Sequence, residues 1–172
     1  MKFILTRHCE TDWNREGRLQ GHSDTHLNEY GWFQAEELAQ NLKNLGIKKI
    51  ISSDLKRSVE TSSVLAKYLK VPIELDARIR ECAYGKLEGS TKDEALVAGY
   101  GSLQHYDFES LGGESRERVL RRHLSFLDDV HEKESDDPIL LVGHGTGLNT
   151  LLFHLGKPPI SRGEFVEIEY PN

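Results

Sequence analysis

The chain has 172 residues, a length that fits one domain with a single core. Its formal net charge of −6 argues against sequence-independent nucleic-acid binding, which needs clustered positive charge, but leaves room for an anionic small ligand held by a few local arginines. No apolar run approaches the roughly 18 residues of a membrane span. Met1–Arg7 is too short for a signal peptide, and two cysteines without a secretory signal point to a reducing, cytoplasmic compartment with free thiols.

In chain order, Lys2–Thr6 reads as a short apolar strand. Ala35, Leu38, Ala39, Leu42 and Leu45 recur at helical spacing, with Gly46 as the C-terminal cap. Lys49–Ser52 predicts a second strand. The stripe Val59, Ser62, Ser63, Ala66 and Leu69 then predicts a helix that Ser53 or Asp54 can cap. After a third strand at Pro72–Leu75, residues 82–113 are rich in Gly, Ser and Tyr, with only a weak helical pattern at Lys92–Val97. This stretch reads as an excursion over one end of the sheet, where substrate-contacting loops lie. A helix from about Ser115 to Lys133 turns Val119, Leu120, Leu124, Leu127 and Val130 inward, and the acidic run 132–137 reads as its solvated end. Ile139–Val142 is apolar without alternation, as in a strand covered on both faces. A short helix follows through Leu148, Leu151, Leu152 and Leu155, stopped by Gly156 and Pro158, and Phe165–Ile168 is the last strand. The alternation predicts one layered α/β unit, residues 1–172, with a mostly parallel sheet.

Chemistry-bearing residues follow these strands. Arg7-His8 succeeds the first, Asp54-Leu55-Lys56-Arg57 the second, Arg80-Glu81 the third and Gly143-His144-Gly145 the fourth. The carboxyl ends of parallel strands share one edge, where ligands bind, so Arg7, His8, Arg57, Glu81 and His144 are expected to meet. Two histidines, two arginines and a glutamate suit phosphoryl transfer without a metal. Arginine forks match phosphate oxygens, an imidazole attacks phosphorus, and a carboxylic acid protonates the leaving alkoxide. The glycines beside His144 open the start of the last helix to an anion.

Arg7-His8-Cys9-Glu10-Thr11-Asp12-Trp13-Asn14 resembles the opening signature of the histidine phosphatase superfamily, also called phosphoglycerate mutase-like. The likeness continues through Gly17-Arg18-Leu19-Gln20-Gly21, Ser52-Ser53-Asp54-Leu55 with Arg57, Arg80-Glu81, Gly113-Glu114-Ser115 and Val142-Gly143-His144-Gly145. It implies a three-layer α/β/α sandwich and a metal-independent phosphomonoesterase with no cofactor, acting on a small phosphorylated metabolite. His8 matches the phosphorylated histidine, Arg7, Arg57 and His144 the groups that hold the phosphoryl, Asn14 an assisting group and Glu81 the proton donor. Gln20, Gly21 and Gly145, within the matched motifs, are candidates for substrate contact. The run Glu10–Asn14 looks more like the small-metabolite branch, with its broad-specificity acid phosphatases and α-ribazole phosphatase. A phosphoglycerate mutase uses the same site, but the mutases resembled are longer, with insertions over it. An inactive phosphate-binding module is the third reading, supported by Cys9 alone, which stands where the family has glycine and is expected to crowd the pocket or its turn.

Cys9 and Cys82 each adjoin a candidate catalytic residue, so a reversible disulfide and two unpaired thiols are both open. His22, Tyr84 and His105 are candidates for shaping the substrate pocket. His22 and His26 have metal-compatible spacing without a ligand cluster to complete it, and no metal is expected. His123 and His131 read as helix surface or edge. Trp32 and Phe33 serve a homodimer contact or the core equally well.

Overall fold

The computed structural model describes residues 1–97, 105–134 and 136–171. Among them β1 (Lys2–Arg7), β2 (Lys49–Ser52), β3 (Ile73–Leu75), β4 (Ile139–Gly143) and β5 (Phe165–Glu169) form one sheet in the order β3-β2-β4-β1-β5. The first four run parallel, and β5 is antiparallel to β1. Six helices are described: α1 (Asp12–Arg15), α2 (Glu29–Leu42), α3 (Lys56–Leu69), α4 (Lys92–Val97), α5 (Arg116–Lys133) and α6 (Gly145–His154).

Side chains alternate across each strand, and this builds two cores. Phe3 and Leu5 of β1, Ile51 of β2, and Ile139 and Leu141 of β4 pack with Phe126, Leu127, Leu148 and Leu151 of α5 and α6. Ile4, Ile50, Leu140 and Val142 face the other way, onto Ala35, Leu38, Ala39 and Leu42 of α2 and Leu65 of α3. Covered on both faces, the central strands β1, β2 and β4 are buried along most of their length and largely apolar there. The result is a three-layer α/β/α sandwich.

Three helix readings are corrected. The buried face of α3 is Arg57, Ser58, Thr61, Ser62 and Leu65, whereas Ser63 is exposed and Val59, Ala66 and Leu69 are half-buried. The helix is rotated because its first turns face a polar site. There Thr61 Oγ1 accepts from the Cys9 amide at 3.0 Å, and the Thr61 hydroxyl donates to the Arg57 carbonyl at 2.8 Å. Neither Ser53 nor Asp54 caps this helix. Leu55 holds the N-cap position, and Asp54 instead pairs with both Arg80 Nε and Nη2, at 2.6 and 2.5 Å. On α5, His123 and Phe126 are buried while Leu120 and Leu124 are only half-buried. His123 is no surface residue. It is 1 % exposed, and its Nδ1 donates to the Val119 carbonyl one turn back at 2.8 Å, so that donor is satisfied inside the helix. In the acidic run, Glu134 is tied to Lys49 Nζ at 2.7 Å. Trp32 and Phe33 lie outside the core, 43 % and 53 % exposed.

The strand order positions the site. The chain passes from β1 to β2 and leaves a gap that β4 later fills, so the carboxyl ends of β1, β4 and β2 lie side by side. Arg7 pairs with Gly143 and Ser52 with Val142, which makes the next residues, His8, His144 and Ser53, neighbours.

Leu140 is fully buried between β1 and β2, whereas Leu75 on edge strand β3 is 52 % exposed. Leu140→Ala is expected to lower unfolding free energy by about 2–5 kcal/mol, and Leu75→Ala by no more than about 0.5 kcal/mol, as measured by urea denaturation.

Candidate active site

His8 leaves β1 with its amide donating to the Gly143 carbonyl at 2.9 Å, and the side chain is 2 % exposed. Its Nδ1 lies 2.7 Å from the Cys9 carbonyl. A carbonyl oxygen only accepts, so Nδ1 carries the proton and Nε2 keeps a free lone pair. Burial, then the charges of Arg57 and Arg7, push the His8 pKa well below its ordinary value and keep the ring neutral. The His144 ring lies beside it, with centroids 5.1 Å apart. His144 Nε2 meets the Ser53 and Ser58 hydroxyls at 2.8 and 3.2 Å, while its buried Nδ1 has no partner.

Arg57, at the start of α3, is fully buried. Its Nη1 and Nη2 donate to the carbonyls of Ser23 and Gly21 at 2.8 and 2.7 Å, and its Nε has no partner. Arg7 also leaves a buried Nε unpartnered, with Nη1 donating to the Ile160 carbonyl at 3.3 Å. Buried nitrogens without partners are uncommon in native proteins. Of the six buried side-chain N and O atoms in that state among the described residues, three belong to side chains gathered round His8.

Glu81 follows the turn after β3 and is 7 % exposed. Its Oε1 accepts from the amides of Cys82 and Gly147, both at 2.8 Å, and Oε2 from that of Thr146 at 3.1 Å. This corrects the expected use of the α6 N-terminus: its amides hold the carboxylate of Glu81. Gly145 serves another purpose. A Cβ there would stand 2.6 Å from Arg7 Nη2, so the missing side chain is what seats the Arg7 guanidinium.

These groups open into a cavity of about 440 Å³. Of the candidate site residues, Arg7, His8, Asn14, Gln20, Arg57, Glu81, Tyr84 and Gly145 line it. His144 is not among the lining residues but packs directly on His8. Three candidates are corrected. Gly21 contributes a backbone carbonyl to Arg57. His22 lies behind the site, its Nε2 donating to the Glu81 carbonyl at 2.9 Å. His105 is exposed and does not line the cavity. Tyr84, Lys92, Ala95, Leu96, Tyr106 and Phe108 of the 82–113 stretch form one wall of the cavity, and 98–104 lie outside the described residues. Arg162, Thr146 and Asn149 also line the cavity. Arg162 sits in an irregular loop before β5 that no motif marks.

The chain matches the family model of the histidine phosphatase superfamily, branch 1, over residues 3–171. The chain belongs to the histidine phosphatase superfamily. It is 35 % identical to a probable phosphoglycerate mutase GpmB of Salmonella paratyphi A, covering 88 % of this chain and 73 % of that protein. It is 32 % identical to the phosphoglycerate mutase-like protein 4 of Arabidopsis thaliana, covering 95 % and 74 %. Among solved structures, a mycobacterial glucosyl-3-phosphoglycerate phosphatase complexed with VO3 superposes with a TM-score of 0.87 at 26 % identity, covering 98 % of this chain and 90 % of that one. Bacillus stearothermophilus YhfR superposes at 0.86 with 29 % identity and the same coverage.

In this histidine phosphatase Cys9 does not crowd the pocket. It is fully buried in the core with Ile4, Leu38 and Leu65, does not line the cavity, and has no positive φ. Cys82 packs in a different cluster, with Tyr84, Tyr106, Phe108 and Val119, and both thiols are free. Burial raises both thiol pKa values, that of Cys9 to about 12, which works against disulfide exchange. Among the described residues no three His, Cys, Asp or Glu side chains are grouped to hold a metal ion, and His26 instead pairs with Glu60.

Gly145→Ala is expected to push the Arg7 guanidinium out of place and lower kcat/KM roughly 10²-fold, with the melting temperature little changed. Stability should also report the buried histidines. His8, His123 and His144 all have lowered pKa values, from burial first and a neighbouring arginine next, that of His123 to about 3. The unfolded chain takes up these protons as pH falls through about 6.5, while the folded chain does not. Stability present above that pH is therefore lost below it, at about 1.4 kcal/mol per pH unit for each histidine. The urea midpoint is expected to fall steadily from pH 7 to pH 5.

Proposed function

We propose that this chain is a phosphomonoesterase that works through a phosphohistidine on His8. The observation that carries this reading is the set of unpartnered buried nitrogens, Arg7 Nε, Arg57 Nε and His144 Nδ1, around an imidazole whose Nε2 lone pair is free. A phosphoryl group supplies the acceptor oxygens those nitrogens lack, and its negative charge balances two buried arginines. In the first step the Nε2 lone pair forms a bond to phosphorus and the ester P–O bond breaks. The leaving alkoxide takes a proton from Glu81. In the second, Glu81 takes a proton from water as the water oxygen attacks phosphorus and the N–P bond breaks, releasing inorganic phosphate and a neutral His8. Donors fixed before the reaction stabilise charge on the equatorial oxygens without reorganisation. In this reading the Ser53 hydroxyl donates to His144 Nε2, 2.8 Å away, which puts the His144 proton on Nδ1.

The cavity wall fits a small phosphorylated metabolite, since Leu19, Leu96, Tyr84, Tyr106 and Phe108 stand beside the phosphoryl-binding floor together with the cations Arg18, Lys92 and Arg162. The free buried thiols fit a reducing cytoplasm. The names of the sequence relatives favour a second reading, a phosphoglycerate mutase, in which phosphohistidine returns its phosphate instead of losing it to water. This chain spans about three quarters of their length.

Hydrolysis of p-nitrophenyl phosphate by wild type and His8→Ala, with EDTA present, tests the proposal. Wild-type activity is expected to survive the chelator and to fall at least ~10³-fold in the variant. Loss of wild-type activity in EDTA, or activity retained in His8→Ala, overturns it. Interconversion of phosphoglycerates with little hydrolysis puts the mutase in its place.

A further inference from the structure

Glu81 is anchored twice. Its carboxylate is held by the amides of Cys82, Thr146 and Gly147, and its main chain by a separate group on α5. Arg122 projects from α5 onto the segment that carries Glu81. Its Nη1 donates to the carbonyls of Arg78 and Arg80, both at 2.7 Å, and its Nη2 to the carbonyl of Glu81 itself at 2.8 Å. Three carbonyls of one turn therefore converge on a single guanidinium. The same fork grips Glu114, with Nε to Oε1 at 2.9 Å and Nη2 to Oε2 at 3.0 Å. Glu114 in turn takes the Ala83 amide on Oε2 at 3.0 Å, and its own amide donates to the Ala83 carbonyl at 2.9 Å. The Glu81 carbonyl receives a second donor, His22 Nε2, at 2.9 Å. Arg122 and Glu114 are largely buried, with side chains 17 % and 11 % exposed. Arg122 does not line the cavity.

We infer that Arg122, locked by Glu114, is a positioning residue that sets the Glu81 carboxyl for proton transfer. The inference rests on the reading of Glu81 as proton donor. No other residue type makes this arrangement. A guanidinium presents five donors in a rigid plane, enough to span three carbonyls and a carboxylate at once, whereas an ammonium is a point charge on a flexible stem. Removing it leaves three carbonyls of the 78–81 turn without that donor and frees the turn to move. The carboxyl then shifts relative to the leaving oxygen, and proton transfer is sensitive to such displacements. The hydrogen bonds that hold Arg7, Arg57 and His144 come from other segments, the carbonyls of Ile160, Ser23 and Gly21 and the hydroxyls of Ser53 and Ser58.

Leaving-group basicity separates the role from general loss of structure. Phenyl phosphate and p-nitrophenyl phosphate have nearly the same body, but phenolate is the more basic leaving group and depends more on a proton donor. Arg122→Ala is expected to lower kcat/KM for phenyl phosphate by about 10- to 100-fold more than for p-nitrophenyl phosphate, as Glu81→Gln does in parallel. Arg122→Lys, which keeps the charge but not the fork, is expected to fall between wild type and alanine, and it gives the ratio by itself if the alanine variant fails to fold. An equal loss on both substrates in the Arg122 variants, with Glu81→Gln still discriminating, overturns the inference and leaves the function standing. If Glu81→Gln also fails to discriminate, the proton-donor reading falls and takes the inference with it.

Discussion

Because β4 hydrogen-bonds to β1 with Gly143 opposite Arg7, the chain leaves both strands at one edge, and His8 and His144 become neighbours although far apart in sequence. Everything else in the site is arranged round that pair. The His8 amide donates to the Gly143 carbonyl, extending the ladder by one step, so the imidazole stands directly on the hydrogen-bonded edge of the sheet. The strands that carry it are buried on both faces, and their register is strongly specified, because a slip by one residue would turn each apolar side chain into the wrong core.

The second constraint is charge. Burying Arg57 completely lowers its pKa through desolvation, with Glu81 opposing that effect, and Arg7 shows the same balance. Two cations held out of water in this way are costly unless they are hydrogen-bonded. The carbonyls of Gly21, Ser23 and Ile160 supply those bonds, so the loop from Gly21 to Thr25 is part of the support for Arg57. Each Nε remains without a partner. In the proposed reaction, folding does in advance the electrostatic work that water would otherwise have to do.

Arg7, His8 and His144 were legible at strand ends and Arg57 at a helix start, where pattern and chemistry coincide, whereas Glu81 stands past the turn that follows β3 and was marked by its motif. The apolar stripe of α2 was legible for the same reason: propensity and burial agree there. The face of α3 was not, because its buried residues include serines, a threonine and an arginine, and Arg57, Ser58 and Thr61 meet Gly21, Ser23, His144 and Cys9, partners that periodicity alone does not reveal. His123 gave the same difficulty, since a histidine whose ring N–H finds its acceptor within its own helix leaves no trace in the pattern. Gly145 was noticed, but its purpose depends on where Arg7 places its guanidinium. His22 and Arg162 depend on how loops cross the strand ends, and one looks toward the back of Glu81 while the other lines the cavity.

Residue 9 divides its labour between main chain and side chain. Its carbonyl fixes the tautomer of His8, and its thiol fills a space in the core on the far side of the strand end. The two properties can therefore change separately. The His8 ring asks only for a peptide oxygen, which every amino acid provides, so the choice among small residues at this position is judged by core volume and leaves the imidazole as it was. A substitution beside the proposed nucleophile becomes a matter of packing, and the cysteine stands there with its thiol in the core and away from the cavity.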